Sequence, residues 1–76
     1  MPTAERDFLS AHPNVDVLVD FNGEIDHQLV AVHSDFRQGL SPQAGDVFVA
    51  GCWGAAAVKV QVIEVTETWV RLRVLD

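Results

Sequence analysis

With 76 residues, this chain has room for one domain, and a chain of that size buries only about 60% of the surface its unfolded form exposes. Eleven acids against five bases leave a net charge of −6, which argues against nucleic-acid binding, since that rests on clustered Lys and Arg neutralising phosphates. One cysteine excludes an internal disulfide, and no Cys/His spacing suits zinc.

Hydrophobic residues nevertheless make up 49% of the chain. So small a domain cannot hide them all alone, and the expectation is a homo-oligomer, a dimer first. The polar start Met1-Pro2-Thr3-Ala4-Glu5-Arg6-Asp7, the lone thiol and the lack of a long apolar run set the expectation of a cytoplasmic protein that avoids membranes. Charge is uneven. Residues 1–36 carry seven acids and one base, whereas residues 37–76 carry four of each.

Thr3 is placed to cap a short helix running to about Ala11, with Phe8 sharing a side with Ala11 or Ala4. Pro13 ends it by pushing His12 out of helical geometry. Val15 to Phe21 reads as a strand with Val15, Val17, Val19 and Phe21 on one face. Asn22-Gly23 reads as the hairpin turn that follows, lengthened to include Glu24 so that Phe21 pairs with Ile25, Val19 with His27, Val17 with Leu29 and Val15 with Ala31. A helix over residues 24–38 competes, because Ile25, Leu29, Val32 and Phe36 form a narrow helical stripe before Gly39. The β-branched run Leu29-Val30-Ala31-Val32, with Val30 facing water in a helix, favours the strand.

Ser41 to Asp46 reads as a turn, Val47-Phe48-Val49-Ala50 as a short strand, and Gly51-Cys52-Trp53-Gly54 as a glycine-bounded loop. Ala55 to Val65 reads as a long strand with Ala56, Val58, Val60 and Val62 inward. A turn at Val65-Thr66-Glu67 returns it as Thr68 to Leu75, pairing Val62 with Val70, Val60 with Leu72 and Val58 with Val74. The outer row then pairs Ile63 with Trp69, Gln61 with Arg71 and Lys59 with Arg73. The predicted fold is mostly β: a small barrel or strongly bent antiparallel sheet of four or five strands with a short N-terminal helix.

Within residues 40–76, Gly45-Asp46-Val47-Phe48-Val49, a glycine loop, Ala57-Val58-Lys59-Val60 and Val62-Ile63-Glu64-Val65 resemble the middle of an SH3-like barrel of the Tudor or KOW kind. The resemblance implies fold class and no activity. Val60-Gln61-Val62-Ile63 is also similar to the Val-Gln-Ile-Tyr strand of type II dihydrofolate reductases, which are tetrameric SH3-like barrels. It departs at Val62 and at Ile63, where tyrosine belongs.

No catalytic set emerges. Asp20, Asn22, Glu24 and Asp26 offer hard oxygens, but placing Gly23 at the sixth position of a calcium loop puts Leu18 at the first. His27 and His33 share a strand face about 20 Å apart, too far to hold one ion, so no metal and no cofactor is expected. Cys52 has no Lys, Arg or His within six residues to make it a thiolate. Ser10, Ser34 and Ser41 sit in no nucleophile motif. Trp53, with Cys52 beside it, is the candidate ligand contact, since an indole in a Gly-x-x-Gly loop offers a rigid face and a donor. Trp69, Ile63, Arg71, Arg73 and Lys59 are the candidate interface on the outer face of the last hairpin. The expected function is a non-catalytic binding or assembly module. Its partner is a second copy, with an acidic protein or a small molecule as further partners. The alternative is a small-molecule-binding protein or enzyme with a pocket between subunits.

Overall fold

A computed structural model describes residues 4–75, the side chains of Ala4–Asp7 apart; the expected Thr3 cap lies outside them. Helix α1 spans Ala4–Ala11 and stops ahead of His12-Pro13 as the sequence requires. The His12 ring donates from Nδ1 to the Phe8 carbonyl, one turn back, at 3.0 Å. Among the described residues no helix is long and apolar enough to cross a membrane.

The rest is β, as expected. The strands are β1 (Val17–Leu18), β2 (Gln28–Val32), β3 (Val47–Gly51), β4 (Val58–Val65) and β5 (Trp69–Leu75). They form one sheet in the order β1-β3-β4-β5-β2 that curls into a half-barrel. Residues 24–38 hold β2 and a 3-10 turn at His33–Asp35, so the strand prevails over the competing helix.

The first hairpin is corrected. Val17 and Leu18 pair with Ala50 and Gly51 of β3, in parallel. Strand β2 pairs instead with β5, placing Leu29 opposite Leu72 and Ala31 opposite Val70. Alternation states which face of a strand is buried and leaves its neighbour open. Asn22-Gly23 closes no hairpin. It belongs to a 3-10 turn at Phe21–Gly23 whose cap is Asp20. The tight turn comes later. Ile25 and Gln28 exchange backbone hydrogen bonds of 3.0 and 2.9 Å around Asp26-His27, and both turn residues have positive φ, 53° and 63°. That is the signature of a two-residue type I′ turn, here built without glycine.

The last hairpin forms with a different register. Val62 faces Leu72 and Val60 faces Val74, two residues from the expected pairs. The turn is tighter than expected, the Thr66 amide donating to the Trp69 carbonyl at 2.8 Å, and a bulge between Val62 and Glu64 absorbs one residue. Because the offset is even, Val60, Val62, Val70 and Leu72 still face inward and are fully buried. Strand β4 begins at Val58, so Ala56 lies exposed ahead of it rather than in the inner row.

The sheet curls far enough that its ends nearly meet. Phe36, four residues past β2, bridges Val17 on the free side of β1, and the Arg37 amide donates to the Asp16 carbonyl at 2.7 Å. Inside the curl lie Val17, Val19, Leu29, Ala31, Phe36, Ala50, Val60, Val62, Val70 and Leu72. A second cluster sits on the outside, where Phe8 and Leu9 of α1 and Val15 cover Leu18 and Val49. Gly51 permits that approach, since a Cβ there would stand 3.3 Å from both Phe8 and Val15 side chains.

Candidate functional site

Two places collect the side chains singled out above. The first is the seam of the half-barrel, where the chain leaving β1 faces the free edge of β2. A cleft of about 460 Å³ opens there, lined by Leu18, Val19, Asp20, Asn22, Val30, Asp35, Cys52 and Trp53. Cys52 and Trp53 are thus brought together with residues from three other segments. Trp53 is 56% exposed. Its ring stands edge-on to Phe8 at 5.0 Å and to His12 at 5.2 Å, while those two stack on each other at 4.3 Å. Helix α1 therefore orients the indole beside the cleft. Cys52 is a half-buried free thiol.

Sequence reasoning missed Asp35 and Val30 here, since only folding brings them to Trp53. Each carboxylate of the cleft has one local bond. Asp20 Oδ1 accepts from the Asn22 amide and Asp35 Oδ2 from the Val32 amide, both at 2.9 Å. No Lys or Arg lines the cleft.

The second place is the outer face of β2, β5 and β4. Trp69, Arg71 and Arg73 do point outward, as do Lys59 and Ile63. Arg71 is held within the chain, its guanidinium 5.2 Å from the Trp69 ring centre and 3.6 Å from Glu64. Its acid thus comes from β4 rather than from the acidic N-terminal half. Arg73 faces Gln28 on one side and Gln61 on the other. The apolar part of this face is larger than the sequence suggested. Val32 lies opposite Trp69 and Val30 opposite Arg71, and they are 45% and 55% exposed. The signal was present in the alternation: with Leu29 and Ala31 inward, Val30 and Val32 must face out.

His12 and His33 serve the fold. His33 Nε2 donates to the Thr66 carbonyl at 2.6 Å, tying the end of β2 to the β4–β5 turn. His27 lies 3.7 Å from Glu24 on the surface. Among the described residues, no three His, Cys, Asp or Glu side chains converge as a metal site would require. Comparison with protein-family models, with curated proteins and with solved structures returns no match for this chain.

Proposed function

We propose that this chain is a non-catalytic binding and assembly module, an SH3-like small barrel that associates with a second copy through the outer face of β2 and β5. The observation that carries the reading is the outward pair Val30 and Val32, half exposed beside Trp69. Two β-branched side chains and an indole on a sheet face form an apolar patch of the kind that marks contact surfaces, and Trp and Arg are the types that interface cores enrich. Arg71, already fixed by Glu64 and the indole, borders the patch at little further entropic cost. A symmetric contact would set this face against itself.

Light scattering at micromolar concentration tests it. The expected mass is twice 8.3 kDa, and a Val30→Lys/Val32→Lys variant is expected to run as a folded monomer. A native mass of 8.3 kDa, or a variant that keeps the larger mass, overturns the reading. The second reading, a small-molecule protein with a pocket between subunits, draws support from the seam cleft. It gains ground if the native protein is a tetramer.

A further inference from the structure

The free edge of β2 is partly closed by bonds within the chain. The Val74 amide donates to the His27 carbonyl at 2.7 Å, so His27 and Val74 are a hydrogen-bonded pair. Alternation then makes Leu29–Leu72 and Ala31–Val70 the next such pairs, in the observed register. The N–H and C=O of Gln28, Val30 and Val32 therefore point away from β5. Gln28 is taken by Ile25, and the Val32 N–H is taken by Asp35. Only Val30 has both groups without a partner among the described residues, and Val30 lines the cleft. The result is a strand edge with a window one residue wide, opening between Asp20, Asp35 and an exposed indole.

We infer that this window takes an extended peptide from a basic partner protein, one residue pairing antiparallel with Val30 and a flanking lysine or arginine meeting Asp20 or Asp35. Backbone pairing supplies the docking and side chains the selectivity, as in other strand additions. The charge argues for the sign: two carboxylates and no base line the cleft, and the chain as a whole stands at −6. Trp53 adds a face on which the ammonium or its aliphatic stem can rest. Gln28 is paired with Ile25 and the Val32 N–H with Asp35, so the contact stays short and weak rather than growing into open-ended sheet pairing.

The test uses the native protein labelled for NMR and the peptide Ac-Lys-Val-Lys-NH2. The expected result is a saturable shift of the Val30 amide and of the Trp53 indole N–H, weakening as salt is raised. Asp20→Asn and Asp35→Asn keep a side-chain oxygen to accept the local amide bond, so both should stay folded while binding falls about fivefold, as loss of a half-exposed ion pair implies. Ac-Glu-Val-Glu-NH2 should not bind, and the same lysine peptide N-methylated on its valine should lose most of its affinity. Three results overturn the inference: no saturable shift up to about 10 mM peptide, far weaker than the 1 mM scale of short contacts; equal binding of the N-methylated peptide, which removes strand pairing; or equal shifts from putrescine, which reduces the site to one for small organic cations.

Discussion

Arg37 ties three separate backbone positions together through one side chain. Its Nη2 group donates to the carbonyls of Leu9, His12 and Val15, gathering the C-terminal end of α1 and the approach to β1, while its own amide holds Asp16. A planar, permanently charged fork at a helix C-terminus satisfies carbonyls that have no helical partner and suits the negative end of the helix dipole. Arg37→Ala should therefore cost about 2–3 kcal/mol, the scale of hydrogen bonds to a charged group, and Arg37→Lys should recover only part of it; urea titration of the three proteins measures both. Asp16 works in the same region. Its carboxylate accepts from the Val49 amide at 2.9 Å, and its own amide donates to the Val49 carbonyl at 2.8 Å. Neither role was legible in the sequence, because both depend on carbonyls and amides from segments brought in by folding. The turn at Asp26-His27 offers the opposite test. Two L-residues held in left-handed geometry are strained, and Asn-Gly is the pair that a type I′ turn prefers. Asp26→Asn/His27→Gly is expected to raise stability by about 1 kcal/mol, since the surface contact of His27 with Glu24 that it removes contributes little. A lower melting temperature would show that the turn is not type I′.

At the scale of elements, period-two patterning was readable and pairing was not. The inner row of β4 and β5 emerged from the sequence because Val60, Val62, Val70 and Leu72 fall at period two, with Gln61, Arg71 and Arg73 between and beside them, and all four are buried. Their partners were missed by two residues because a bulge and a tighter turn cannot be seen in a row of valines, where neighbouring registers bury equally well. The same degeneracy misled the first hairpin, in which Val15, Val17 and Val19 match Leu29 and Ala31 as neatly as they match β3. What decided it were contacts outside the pattern: Asp16 on Val49, and the late turn that delivers β2 to β5. For the same reason Trp53 and Cys52 were legible as a pair, being adjacent in the chain, while the cleft they share with Asp35 and Val30 was not. The observed register makes its own prediction. NMR should show a cross-strand contact between Gln61 and Arg73 and none between Gln61 and Arg71. Val60→Ala and Leu72→Ala should each cost about 2–4 kcal/mol, because each leaves a hole in a fully enclosed row.

For the whole molecule, the difficulty is size. The chain uses both sides of its sheet: one cluster fills the curl, and α1 covers a second on the outside of β1 and β3. The helix packs on the β1 and β3 side, and the outer face of β2 and β5 keeps Val30, Val32 and Trp69 near solvent. A domain that buries so small a fraction of its surface gains from any further apolar cover, and under the proposed reading a second copy would supply it without a new element. Association of the folded state alone then couples assembly to stability by mass action. The melting temperature of the native protein is accordingly expected to rise with protein concentration, by several degrees over a hundredfold range, since a gain of about 1 kcal/mol moves a domain of this size by about 4–8 °C. The Val30→Lys/Val32→Lys variant should lose that dependence and melt at one temperature throughout, close to the native protein at its lowest concentration, because outward lysines on a strand disturb no core contact. Differential scanning fluorimetry across that range separates the cases. A native melting temperature independent of concentration would mean that the half-barrel stands alone and that the outer face of β2 and β5 is not where copies meet.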